Sequence, residues 1–87
     1  MKLSLARDVT LTPVESGAVL LDGRRGRYFQ LNASGSTILR KLLDGEAPDA
    51  AAASLTASAP VSDVQARQDV QALIDALSAA HLVEVAP

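Results

Sequence analysis

The side chains that could carry out catalysis are few in this 87-residue chain and are scattered along it. His81 is the one histidine and there is no cysteine, so cysteine nucleophiles, disulfides and thiolate metal sites are excluded. Acids occur singly near turns and caps, as with Asp44 and Glu46 on either side of Gly45, whereas general acid–base catalysis usually relies on paired groups. The sequence therefore predicts no catalytic residue, no cofactor and no metal site, and indicates that the protein is not an enzyme.

The densest positive charge lies in Arg24, Arg25 and Arg27, beside two glycines. These glycines lack the strand-to-helix context of a phosphate-binding loop. The whole chain has eight basic and ten acidic side chains and a net charge of -2, which disfavours binding to nucleic acid. We interpret Arg24 and Arg25 as residues that steer an acidic peptide segment towards the protein. The alternative is a solvated hairpin tip.

Strand patterns occupy the first third of the chain. Apolar and threonine residues alternate over residues 9–12, a turn is predicted over residues 13–17, and residues 18–21 form a short apolar run. An Asp-Gly pair and a second glycine within residues 22–26 indicate a tight hairpin. A third strand follows over residues 27–31. These patterns predict an antiparallel meander in which the third strand lies at an edge.

Helical patterns occupy the remainder. Asn32 is a suitable N-cap directly after the third strand, and Gly45 is suited to the end of the first helix. A short alanine-rich helix is predicted at about residues 49–57, and a capping box precedes a long helix over residues 63–80. Residues 82–85 are a candidate terminal strand. This order predicts an α+β fold, a winged helix-turn-helix with an N-terminal three-stranded antiparallel sheet followed by three helices.

A winged helix raises DNA binding or regulation as an alternative function. A recognition helix normally presents basic and amide side chains to bases and phosphates. The predicted third helix instead carries Asp63, Asp69 and Asp75 against Arg67 alone, and these acids repel phosphates. A second alternative is a structural adaptor that docks on an enzyme through the apolar sheet.

The length and composition of the chain indicate how many domains it forms. With 48% hydrophobic residues, the chain is expected to fold as a single domain over residues 1–87. Residues 1–8 lack the apolar run of a signal peptide, and no later stretch has the length of a membrane span. We therefore expect a cytoplasmic protein that binds neither membrane nor nucleic acid.

The predicted third strand is an unprotected sheet edge. It contains no proline and no acid, whereas natural sheets protect their edges with such residues. Its alternation places Phe29 and Leu31 on one face and Tyr28 and Gln30 on the other. An open edge can accept an extended peptide as an additional strand, bound through main-chain hydrogen bonds. The sequence therefore predicts a peptide-binding site at residues 27–31.

The predicted third helix has a polar side, a flank of small residues and an apolar stripe. Ala72, Ala76 and Ala79 form a flank of small residues on which another chain could pack closely, although alanine also simply favours helix. The apolar stripe of the helix consists of Ala66, Val70, Leu73, Ile74, Leu77 and Ala80.

Residues 26–35, which read G-R-Y-F-Q-L-N-A-S-G, lead into an Ile-Leu pair at residues 38–39 and a closing Leu-Asp-Gly at residues 43–45. This pattern resembles the PqqD-like family of peptide chaperones, the recognition elements of ribosomally made and post-translationally modified peptides (RiPPs). The resemblance covers nearly the whole chain and is greatest to the stand-alone proteins of lasso-peptide biosynthesis. Its most specific part is the aromatic-x-Leu-Asn step into a helix.

The resemblance implies that the protein binds the leader segment of a precursor peptide as an antiparallel strand on residues 27–31. The leader would lie in a groove with the third helix, and lasso leaders offer a tyrosine and a proline to an apolar pocket. The protein would present the leader to a separate cysteine-protease-like leader peptidase and to a cyclase. How the helix divides its residues between core and groove stays open. The residues expected to bind the peptide are Arg27, Tyr28, Phe29, Gln30, Leu31, Val70, Leu73, Ile74 and Leu77.

Overall fold

The computed structural model describes residues 2–86. Its strands β1 (Lys2–Leu5), β2 (Val9–Val14), β3 (Gly17–Asp22) and β4 (Arg27–Asn32) precede all of its helices. Strands β2, β3 and β4 form an antiparallel sheet in that spatial order, so β2 and β4 are its two edges. The predicted meander and its edge strand are therefore confirmed.

Three helices follow the sheet directly. They are α1 (Ala33–Leu43), α2 (Pro48–Ser58) and α3 (Asp63–Ala79), and a last strand, β5 (Val83–Ala86), follows α3. Asn32 caps α1, because its side-chain oxygen accepts a hydrogen bond from the Gly35 N–H at 2.8 Å. The predicted α+β class, with a three-stranded antiparallel sheet and three helices, is confirmed.

Two strand assignments differ from the sequence prediction. Strand β1 pairs with β5 in a second, two-stranded antiparallel sheet; it was not predicted, because its partner lies at the opposite end of the chain. The sequence predicts a turn at Pro13, but Pro13 lies inside β2, and only Glu15 and Ser16 separate β2 from β3. Proline fits there because β2 is an edge strand with one side of its backbone unpaired.

The predicted capping box forms only in part. The Ser62 hydroxyl accepts a hydrogen bond from the Gln65 N–H at 3.1 Å. The Gln65 side chain does not return to the cap but donates to Asp69 at 2.7 Å, one turn further along α3. One side-chain contact is therefore enough to begin this helix.

The core lies between the inner face of the sheet and the three helices. It is aliphatic, and α2 contributes to it through its buried alanines as well as through Leu55. Small side chains allow α2 to pack closely on α3, so a helix with few large residues is still held. The largest fully buried side chains of this core are Leu3, Leu20, Leu39, Leu42, Val70 and Leu82.

Gly17 fixes the junction between the sheet and α1. Its φ is +152°, and a Cβ atom built there would overlap the carbonyl oxygen of Leu31. Only glycine permits this approach of the two backbones. The end of β4 and the cap at Asn32 are therefore set by a contact that no side chain could replace.

Candidate functional site

The two edges of the three-stranded sheet differ in their protection. The outer edge of β2 contains Pro13, which has no N–H to offer to another strand. Strand β4 contains no proline. An incoming strand can therefore pair with β4 more completely than with β2.

The direction of each main-chain group in β4 follows from the hydrogen bonds at the start of the sheet. The Gly23 N–H donates to the Asp8 carbonyl at 2.9 Å, whereas the Val9 N–H turns away and donates to Ala6. Antiparallel pairs alternate between bonded and non-bonded. Continuing the register from this point, the main-chain groups of Leu21 face β2 and those of Asp22 face β4.

The same alternation continues into β4. Phe29 and Leu31 are opposite Leu20 and Ala18, so their main-chain groups bond to β3. The N–H and C=O groups of Tyr28 and Gln30 therefore point away from the sheet. An added strand would form its hydrogen bonds with these unpaired groups.

Helix α3 lies alongside this edge and runs in the opposite direction to β4. At one end, the Arg27 guanidinium donates to the Ala80 carbonyl at 3.1 Å. At the other end, Asn32 lines a groove together with Asp69. The path from Asp69 to Ala80 covers about 17 Å along the helix axis, and β4 covers about 17 Å as a strand. The two elements therefore match in length, and we call the space between them the channel.

The wide end of this channel is a groove of 480 Å³. Its walls come from the end of β4, from all three helices and from the loop between α2 and α3, and most of its side chains are apolar. Such a surface suits the apolar anchor side chains of a bound segment. The lining residues are Asn32, Ser34, Gly35, Ile38, Leu55, Ala59, Val61, Asp69, Ala72 and Leu73.

The α3 wall of the channel presents small side chains. Ala72 lines the groove, and the Ala80 carbonyl receives Arg27. Ala76 lies four residues from each and therefore on the same helix face. It is also exposed. The small-residue flank predicted from the sequence thus faces β4 at Ala72 and Ala76, where a backbone could approach closely.

The predicted alternation within β4 is confirmed. Leu31 is buried and Phe29 packs partly buried against the core, whereas Gln30 is exposed. The Tyr28 side chain is 73% exposed and lies on the outer face of the sheet, opposite Leu21. Tyr28 and Gln30 can therefore contribute to the channel through their main-chain groups, with their side chains directed elsewhere.

The helix side of the predicted site needs correction. Val70, Ile74 and Leu77 are only 1%, 5% and 5% exposed and belong to the core, where α3 packs against α2 and β5. None of the three lines the groove. Leu73 is the predicted helix residue that lines the groove.

Sequence reasoning missed much of the groove wall. Ile38, Leu55 and Val61 come from α1, α2 and the following loop, and nothing in their local patterns separates a groove residue from a core residue. Their contribution depends on how three helices pack. Ala72 carried a local signal as part of the small-residue flank, and Leu73 did so as part of the apolar stripe.

The arginines at the hairpin are organised by a buried carboxylate. Asp22 is 1% exposed, and its carboxylate lies 3.3 Å from the Arg25 guanidinium and 3.4 Å from that of Arg27. The Arg24 N–H also donates to it at 3.1 Å. Burial alone would raise the pKa of Asp22, but the hydrogen bonds from these three arginines outweigh burial and hold it below 3.8.

Arg27 is consequently a fixed residue of the channel. In addition to its bonds to Asp22 and Ala80, its guanidinium lies 5.4 Å from the centre of the Phe29 ring, within the range of a cation–π contact. It joins the hairpin to the end of α3. Arg24 is exposed, and its side chain forms no ion pair within residues 2–86.

Helix α3 remains acidic, as the sequence indicated. Asp69 and Asp75 are exposed and accept hydrogen bonds from Gln65 and Gln71. These bonds occupy the amides that a recognition helix would present to bases.

No helix within the described residues is long and apolar enough to cross a membrane.

A three-stranded antiparallel sheet followed by three helices, with an open channel between β4 and α3, defines a winged helix-turn-helix domain of the peptide-chaperone type. The family model of Coenzyme PQQ synthesis protein D (PqqD) matches residues 17–83. The chain therefore belongs to the PqqD family, and the resemblance seen in the sequence is confirmed.

Two solved structures extend the comparison over the whole fold. The chain is similar to lasso peptide synthetase B1 complexed with the leader peptide, with a TM-score of 0.92 and 33% identity over 98% of this chain and 100% of that chain. It is also similar to TbiB1 in complex with the TbiA(beta) leader peptide, with a TM-score of 0.85 and 28% identity over 100% of this chain and 99% of that chain. No match was found among curated proteins.

The lowered pKa of Asp22 makes its contribution to stability depend on pH. This contribution is present above pH 3.8, the ordinary value of the group, and is lost as the pH falls through the lower pKa of the folded protein. We expect Asp22→Asn to lower the free energy of unfolding at pH 7, and the difference from the parent protein to shrink below about pH 3.8. Urea unfolding at a series of pH values measures both.

Glu15→Gln is the matched control, since Glu15 is an exposed acid in the other hairpin of the same sheet. We expect Glu15→Gln to change stability little at any pH. An Asp22→Asn variant as stable as the parent protein at pH 7 would contradict the proposed role of the carboxylate.

Proposed function

We propose that this protein binds the leader segment of a ribosomal precursor peptide in lasso-peptide biosynthesis and performs no chemistry itself. The leader adds to β4 as a further antiparallel strand and lies in the channel between β4 and α3. The observation that carries the proposal is the pair of outward-facing main-chain groups at Tyr28 and Gln30, beside a groove with apolar walls.

The related structures support this function. Both are complexes with leader peptides, and both match this chain over nearly its full length. The antiparallel direction agrees with the sheet itself, in which all pairings are antiparallel, and antiparallel pairs are slightly more stable per residue than parallel ones.

Main-chain pairing alone would bind a leader weakly. Ordering an extended peptide costs about 1–2 kcal/mol per residue, while each hydrogen bond contributes about 0.5–1.5 kcal/mol net. The groove supplies the remaining binding free energy. Ile38, Leu55 and Leu73 line it and can cover an apolar anchor side chain, whose full burial contributes about 1.5–3 kcal/mol. Pairing thus sets the direction of the leader, and the groove selects among leaders.

The bound leader is presented to other proteins of the pathway. We propose as partners a cysteine-protease-like leader peptidase and a cyclase, with all of them in the cytoplasm. Holding a precursor and a peptidase on one protein replaces a bimolecular search by an effective concentration that reaches the millimolar range for short tethers (~1 mM). Arg24 and Arg25 attract acidic segments of the leader and accelerate the encounter.

Strand addition to β4 predicts that removing one outward main-chain N–H from this strand weakens leader binding. We expect Gln30→Pro to weaken leader binding about tenfold or more, because it removes an outward N–H from the edge and restricts the strand. Fluorescence anisotropy with the leader of the precursor encoded beside this gene measures the affinity. That neighbourhood should also encode a protease-like protein and an asparagine-synthetase-like cyclase.

Gln30→Thr is the matched control, since it removes the same side chain and keeps the N–H. We expect its affinity to stay within about twofold of the parent protein. Circular dichroism and urea unfolding establish that both variants are folded. Equal affinity of a folded Gln30→Pro variant and of Gln30→Thr would contradict strand addition at this edge.

Filling the channel from the helix side is expected to block it. In Ala72→Trp a large ring replaces a small side chain on the groove wall, so we expect roughly a tenfold or greater loss of leader affinity. Gln71→Trp places the same ring about 100° around α3, on an exposed surface away from the groove. Isothermal titration of both variants tests the site, and an equal loss in both would argue against it.

A further inference from the structure

The channel between β4 and α3 leads to a second cavity at its narrow end. At the narrow end, the hydrogen bond from Arg27 to the Ala80 carbonyl bridges β4 and α3. Directly beyond, His81 and the hairpin arginines line a cavity of 180 Å³. Three separate loops meet there, those between β1 and β2, between β3 and β4, and between α3 and β5. The lining residues are Ala6, Arg7, Arg24, Arg25, His81, Val83 and Glu84.

The charge of this cavity is positive. Asp22 pairs with Arg25 and Arg27, so part of the positive charge at the hairpin is already compensated. Within residues 2–86, Arg7 and Arg24 form no ion pair, and Glu84 is the one acid in the cavity wall. Two exposed guanidinium groups thus face a cavity with a single carboxylate, on a protein whose net charge is -2.

We propose that this cavity receives an aspartate or glutamate side chain of the same peptide that pairs with β4. The inference rests on the proposed function and adds a second recognition point to it. Guanidinium groups bind carboxylates through charge-assisted hydrogen bonds. A segment that continues beyond Arg27 reaches the hairpin between β3 and β4, which carries Arg24 and Arg25.

The direction and spacing of the ligand follow from the fold. A strand added antiparallel to β4 runs from Asn32 towards Arg27, so its apolar anchor enters the groove first and its carboxylate comes later in the sequence. The distance along β4 is about 17 Å, which an extended chain covers in about five or six residues. The ligand is therefore a peptide with an apolar anchor followed, about six residues towards its C-terminus, by an acid.

A glutamate scan of the leader tests this inference. The anchor is first defined as the apolar leader residue whose replacement by alanine weakens binding most. Seven leader peptides then each carry one glutamate, at the third to the ninth position after the anchor, with alanine at the other six positions. We expect affinity to be highest near the sixth position, by about threefold to fivefold over the extremes at low salt.

The role of Arg24 is tested by reversing its charge. In Arg24→Glu we expect the optimum to disappear, and a lysine at the optimal position to bind about threefold more tightly than glutamate. The main-chain N–H of Arg24 that bonds to Asp22 is retained in this variant, so the hairpin keeps that contact. Arg40→Glu is the control, since it changes the net charge equally at an exposed position on α1, and it should keep the glutamate optimum.

Each outcome separates the two proposals. A flat glutamate scan with tight binding, or an optimum that survives in Arg24→Glu, would overturn the acid site while leaving strand addition in place. An optimum close to the anchor, three positions away, would overturn the proposed direction and spacing. Absence of binding by every peptide would overturn the proposed function together with the acid site.

Discussion

The alternation of hydrogen bonds in the antiparallel sheet is the constraint on which the rest of the site depends. Once the Gly23 N–H bonds to Asp8, every later main-chain group in β3 and β4 has a fixed direction. The same alternation places Pro13 on the edge strand β2, where one side of the backbone needs no partner. It leaves the main-chain groups of Tyr28 and Gln30 unpaired on the other edge. A shift of one residue would bury those groups and turn Phe29 and Leu31 outward.

The second constraint is the separation of β4 from α3. The carboxylate of Asp22 holds the guanidinium of Arg27, which in turn reaches Ala80 at the end of the helix. The strand and the helix are thereby joined at one end of the channel, while small side chains on α3 leave room along its length. An open edge held beside a helix can accept a backbone without a large rearrangement, and such preorganisation favours affinity.

Much of this arrangement could be predicted from local sequence signals. The limits of β4, its alternation, the cap at Asn32 and the small-residue flank of α3 each depend on neighbouring residues, and each agrees with the structure. Pairing of β1 with β5 could not be predicted, because it joins distant ends of the chain. The groove residues Ile38 and Leu55 were missed for a similar reason, since an apolar position on a helix looks the same whether it faces core or channel.

Amide hydrogen exchange of the four central residues of β4, with and without the leader peptide, tests the central claim most directly. In the free protein we expect slow exchange at Phe29 and Leu31 and fast exchange at Tyr28 and Gln30. Saturating leader should slow Tyr28 and Gln30 by roughly tenfold or more, as new hydrogen bonds form. Leader binding that leaves the exchange of Tyr28 and Gln30 unchanged would contradict strand addition to β4.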